Sequence, residues 1–161
     1  MSLSHVIDAE PRPAGFDIAY KRMAALQDTV DGGDLPSRVV HFVKLLASQI
    51  NGCSYCIDMH VADAVADGVD ERTLHLLPTW RKVDVFDAQE QAALALTEAV
   101  TLVAETHVPR DVWDAAAAVF TEDELGVLLW QIVAINAWNR FAIARRSVPE
   151  SLVAAEAAAA G

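Results

Sequence analysis

Apolar residues recur along this chain at three- and four-residue spacing, the pattern of helices that turn one face to a core. Ile18, Met23, Leu26 and Val30 share a face of a helix predicted from Phe16 to Val30, which Gly32-Gly33 ends. Pro36 suits the first turn of the next helix, which runs to about Ile50. That second segment is apolar nearly all round (Val39, Val40, Phe42, Val43, Leu45, Leu46, Ala47), so it is expected to be central and buried. Its exceptions are His41, Ser48 and Gln49. Asn51-Gly52 tolerates positive φ and breaks the helix. A new helix is predicted from Ser54 to about Gly68.

Asp70 is expected to cap a short helix that ends by Pro78, and Thr79 to Val85 reads as a loop carrying Trp80 and Arg81. Asp87 opens a long helix, Ala88 to about Glu105, and Pro109 starts another that reaches Phe120. Thr121-Glu122-Asp123-Glu124 has the capping-box pattern, and a strongly apolar helix follows to about Ile143. No useful length of chain alternates as a strand does, so the fold class is all-α, a single-domain helical bundle. The expected division is an extended N-terminal arm at 1–15, a helical domain at 16–146 and an Ala-rich tail at 147–161. Ile50-Asn51-Gly52 and Ile135-Asn136-Ala137 form a weak internal echo, compatible with a duplicated helical hairpin or with chance.

Composition narrows the function. A chain of 161 residues, 53% hydrophobic, can bury one good core. A net charge of −11 and the lack of a basic patch argue against nucleic acid. The start carries no signal-peptide pattern, and no stretch reads as long and apolar enough to span a bilayer, so a cytoplasmic protein without a membrane partner is expected. The helices are apolar enough to predict self-association.

In a reducing compartment a Cys-x-x-Cys pair is redox-active or metal-binding more often than structural. Cys53 and Cys56 are the only cysteines, and His60 lies four residues after the second, one turn along the same helix face. A helix start favours a thiolate. A thiolate that attacks peroxide becomes a sulfenic acid, which a second thiol closes to a disulfide. A histidine one turn away can take and return the proton. The dipole alone makes Cys53 the more acidic thiol, whereas His60 lies one turn from Cys56 and two from Cys53. Cys53, Cys56, His60 and His41 are also a conceivable zinc set, but no second cysteine pair completes the usual pattern. Covalent haem is excluded, because Ile57 and not histidine follows Cys56. Folding the chain back at Asn51-Gly52 sets residue 43 level with His60, about 3 Å of helical rise from His41. His41 can therefore approach His60 or Cys56, or it is a core histidine bonded to a carbonyl. His5, His75 and His107 read as solvated, and Trp130 and Trp138 as core or subunit contact.

The run Ser48-Gln49-Ile50-Asn51-Gly52-Cys53-Ser54-Tyr55-Cys56-Ile57-Asp58-Met59-His60 resembles the signature of the alkylhydroperoxidase D-like family, within the carboxymuconolactone decarboxylase superfamily. Pro78-Thr79-Trp80-Arg81, Ala93-Leu94-Ala95-Leu96 and Ile135-Asn136-Ala137-Trp138-Asn139-Arg140 extend the resemblance over roughly 16–146. It implies an all-helical protein that assembles as a homo-trimer or homo-hexamer and reduces hydrogen peroxide or small organic hydroperoxides with no cofactor. It implies that Cys56 attacks, Cys53 resolves and His60 belongs to a proton relay, with a lipoyl or thioredoxin-like protein as reductant. Two positions depart from the family pattern. His41 stands where full-relay members carry glutamate, and Tyr55 where they can carry a histidine between the cysteines. The alternatives are a cofactor-free decarboxylase on the same scaffold, and a non-catalytic redox switch or zinc-binding module.

Overall fold

The computed structural model describes residues 16–160, and among these every regular element is a helix. The expected arm at 1–15, with His5, lies outside the described residues. Helix α1 spans Phe16–Asp31, α2 Ser37–Asn51 and α3 Ser54–Ala66. Helix α4 spans Glu71–Leu76, α5 Ala88–Thr101, α6 Val103–Thr106 and α7 Arg110–Ala117. The long α8 spans Glu122–Ala144, and α9 spans Glu150–Ala160.

The expectation for α2 holds: it is the central element, packed against α3, α5 and α8. Its spacing divides its apolar side chains between two halves of the core. Phe42, Leu45 and Leu46 join Leu74, Leu77, Trp80 and Leu94 in one cluster. Val39 and Val43 join Leu96, Phe120, Leu128 and Ile132 in the other. Each fully buried Leu or Phe contributes roughly 1.5–3 kcal/mol of transfer free energy, so this one helix anchors both halves.

Polar residues fix the ends. Asp70 accepts from the Thr73 N–H at the start of α4. The capping box expected at Thr121 is present, and Asp87 with Glu90 builds a second. Glu90 is almost fully buried and also pairs with Arg38 of α2, which ties the start of α5 to the central helix.

Three expectations change. Thr79 to Val85 is not all loop, because Leu77–Lys82 forms a 3-10 helix. Leu77 and Trp80, three apart, are both buried, and i,i+3 eclipse suits that geometry. Trp80 donates to Glu98 at 3.3 Å, and Arg81 stacks 4.1 Å from the Trp80 ring centroid. The helix expected to reach Glu105 ends at Thr101, since Leu102 leaves helical geometry before α6 begins. The Thr106 hydroxyl then donates to the Ala99 carbonyl at 2.6 Å and pulls the chain back. Third, α8 is long and apolar enough to cross a membrane by length and composition, contrary to the sequence reading. It is packed against α1, α2, α5 and α7 and buries Gln131, Asn136 and Asn139, which identifies it as a core helix.

Candidate functional site

The α2–α3 hairpin is built by backbone chemistry that the sequence announces. Gly52 takes the left-handed conformation, φ 71°, which a side chain at that position resists. Its N–H bonds the Gln49 carbonyl at 3.2 Å, and the Cys53 N–H bonds the Ser48 carbonyl at 3.0 Å. These two bonds close α2 as a Schellman motif and deliver Cys53 directly to the N-cap of α3. Cys53 and Cys56 are joined by a disulfide, their Cα atoms 5.3 Å apart. The Cys56 N–H also donates to the Cys53 sulfur at 3.3 Å. Both cysteines are 2% exposed.

His60 lies one turn beyond Cys56 and is 6% exposed, so it is a buried histidine. Its Nδ1 lies 3.6 Å from Asp63, and its Nε2 is buried with no hydrogen-bond partner among the described residues. Burial, then the charge of Lys44, push its pKa down to about 4 against the opposing pull of Asp63. The ring is therefore neutral at pH 7 and resists protonation. His41 is turned to the far end of α3, where its Nε2 lies 2.8 Å from Asp67. Its charge still disfavours protonation of His60.

Cys56 and His60 wall a cavity of about 550 Å³ between α1, α3 and α8. Tyr20, Trp138 and Phe141 line it as a mutual aromatic cluster, with ring centroids 5.1 to 6.0 Å apart. At the polar end Lys44 pairs with Asp31 at 2.7 Å, and Gln131 donates to the same carboxylate at 2.8 Å. Burial pushes the Asp31 carboxyl up, but these hydrogen bonds and the Lys44 charge outweigh it, and Asp31 titrates below its usual range. Cys53 lines a second, adjoining cavity of about 310 Å³ with Ser54, Ile143 and Arg146. Tyr55, Ala142 and Ser147 line both cavities.

Sequence reasoning missed Lys44, Asp31 and Tyr20. The signal for Lys44 was available, the one lysine of a largely apolar helix, three residues after His41. Trp138 is half-buried and walls the larger cavity, whereas Trp130 is 53% exposed and not a core residue. His75 and His107 are exposed, as expected.

The model of the carboxymuconolactone decarboxylase family matches residues 17–99. The chain belongs to that family. The uncharacterized protein YdfG of Bacillus subtilis strain 168 is 37% identical over 102 residues, 63% of this chain and 69% of that one. A protein of unknown function from Agrobacterium tumefaciens, proposed as the antioxidant defence protein AhpD, superposes with a TM-score of 0.79. It is 40% identical, over 81% of this chain and 90% of that one. The debrominase Bmp8 superposes with a TM-score of 0.71 at 19% identity, over 84% of this chain and 72% of that one, which is likeness of fold. The all-α, AhpD-like reading of this family member therefore stands.

Proposed function

We propose that this protein is a thiol-dependent peroxidase-like oxidoreductase acting on hydrogen peroxide or small organic hydroperoxides. The observation that carries the reading is the Cys53–Cys56 disulfide, set at a helix start beside a buried neutral histidine on a cavity wall. Cys56 is the nucleophile, because it shares the larger cavity with His60 and Lys44. In the reduced protein neutral His60 accepts the Cys56 proton only in passing, as the sulfur attacks and before the proton reaches the leaving oxygen. The thiolate attacks the terminal peroxide oxygen, the O–O bond breaks, and the proton returns to the departing alkoxide or hydroxide. Cys53 then displaces water from the Cys56 sulfenic acid and closes the disulfide. His41 hydrogen-bonds Asp67 at the far end of α3, and no hydrogen bond among the described residues links it to His60, so no direct relay step runs through it.

The cycle needs a dithiol reductant, a lipoyl or thioredoxin-like protein in a reducing cytoplasm. Trp130 and Val133, 53% and 40% exposed on one face of α8, support assembly into a homo-trimer or homo-hexamer, which sedimentation measures directly. The bond between the two sulfurs favours redox chemistry over a zinc clip.

The test is peroxide consumption with a dithiol reductant, with free thiols counted before and after one equivalent of oxidant. Two thiols lost together, with turnover abolished by Cys56→Ser, is the expected result. Unchanged turnover in that variant would sink the reading. A decarboxylase-like activity that survives loss of both cysteines would replace it.

A further inference from the structure

The two sulfurs of one disulfide face different spaces. Cys56 lines the larger, aromatic-walled cavity, and Cys53 lines the smaller one. Tyr55, Ala142 and Ser147 line both, where the two cavities adjoin. In thiol–disulfide exchange the attacking, central and leaving sulfurs lie close to one line, and access decides which sulfur is attacked. A thiol attacking Cys53 must arrive on the side away from Cys56, and one attacking Cys56 must arrive on the side away from Cys53.

We propose that the reducing thiol enters through the smaller cavity and attacks Cys53, so that oxidant and reductant reach the same disulfide by separate doors. The proposal rests on the peroxidase reading for its biological sense, although the sulfur chosen is testable without it. Three features support Cys53 as the target. The smaller cavity, about 310 Å³, admits a thiol-bearing chain end and not a folded domain. Arg146, exposed at that cavity in a left-handed conformation (φ 54°), supplies a positive charge that favours the thiolate of an arriving reductant. The leaving group is then Cys56, in the first turn of α3, where the helix start favours a thiolate.

The electrons balance over two exchanges. The first reductant thiolate bonds the Cys53 sulfur, the Cys53–Cys56 bond breaks, and Cys56 leaves as a thiolate facing the peroxide side. The second thiol of the reductant, deprotonated, attacks its own half of the mixed disulfide. Cys53 leaves and takes up that proton, and the reductant departs as an oxidised disulfide. Cys56 is thereby regenerated where the next peroxide binds.

A monothiol freezes the first exchange. Oxidised protein is mixed briefly with 2-mercaptoethanol, quenched in acid and treated with N-ethylmaleimide. Cleavage after Tyr55 puts the two cysteines on separate peptides for mass mapping. The mercaptoethanol adduct is expected on Cys53 and the maleimide on Cys56, in at least roughly tenfold excess over the reverse. Adduct shared equally, or found on Cys56, overturns the proposal.

A second measurement uses Ile143→Trp, which fills the smaller cavity from α8. It is expected to slow disulfide reduction by dihydrolipoamide about tenfold or more, while peroxide closes the disulfide of the pre-reduced variant at the wild-type rate. Equal slowing of both half-reactions, or of neither, overturns the proposal. A Cys53 adduct in a protein that consumes no peroxide sustains the door assignment and removes the peroxidase reading.

Discussion

Asn51, the last residue of α2, is hydrogen-bonded through its side-chain amide to Asn136 of α8 at 2.9 Å. The same amide donates to Asn139 at 2.9 Å, and Asn139 in turn donates to the Ser48 hydroxyl at 3.0 Å. Asn136 donates to the Thr101 hydroxyl and the Ile132 carbonyl, and it accepts from Arg140. Two buried helices and the end of α5 are thus locked in register directly below the cysteine turn. A satisfied buried network specifies one arrangement because each orphaned partner is costly.

Asn136→Ala leaves the Asn51 amide and the Thr101 hydroxyl short of a partner. The expected loss is about 2–3 kcal/mol, read as a shift in the urea unfolding midpoint with an unchanged slope. A variant as stable as the wild type would show that the network carries no net stability.

Gly33 sits where the chain between α1 and α2 passes α8. A Cβ there would lie 2.5 and 2.8 Å from the two methyl carbons of Val127. Valine is stiff at χ1, so backbone must move. Gly33→Ala is expected to cost roughly 1–3 kcal/mol, seen as a lowered Tm.

On the proposed roles, Cys53→Ser removes the resolving thiol and leaves Cys56 one helical turn from His60. One equivalent of peroxide should then oxidise Cys56 to a sulfenic acid that persists and is captured by dimedone. Turnover with a dithiol should fall sharply. Capture at position 53 in the reciprocal Cys56→Ser variant, and none here, would reverse the assignment of roles.

His60 sets a pH dependence of stability. Its folded pKa, about 4, lies below its ordinary value of 6.5 because burial and then Lys44 disfavour the charged ring. Above pH 6.5 the ring is neutral in both folded and unfolded chains, and stability is full. Between pH 6.5 and about 4 the unfolded chain takes up a proton that the folded chain refuses, so stability falls as pH falls, by roughly 3 kcal/mol in all. His60→Asn should flatten that slope in Tm against pH. Lys44→Met should move the folded pKa upward, as an NMR titration of the ring reports.

The sequence made the helices and the turn legible because their determinants are local. Asn51-Gly52 and Thr121 with Glu124 act within four residues of themselves, and both appear where their chemistry requires. The Asn51–Asn136 bond also gives the weak internal echo a physical meaning, since the two echoed asparagines meet. What was not legible depends on how helices rotate against one another. Level arithmetic across the hairpin gives depth along α3 but not azimuth, so it could not foresee His41 bonding Asp67. Nor does any motif announce that α1 brings Tyr20 and Asp31 to a cavity made by α3 and α8. A strongly apolar α8 likewise hides the polar stripe of Gln131, Asn136 and Asn139 that marks it as a core helix.

On the proposal of separate doors, Tyr55 and Ala142 stand where the oxidant and reductant cavities adjoin. Burial, then the charge of Glu150, hold the Tyr55 phenol above its ordinary pKa, so this wall carries no charge of its own at pH 7. A catalyst that alternates between oxidant and reductant at one shared pocket is inhibited when either is in excess, because the wrong partner occupies the waiting form. If the proposed peroxidase uses two separate doors, saturating reductant is expected to leave the peroxide side open, and rate plots against peroxide at rising dithiol are expected to stay parallel instead of converging into competition.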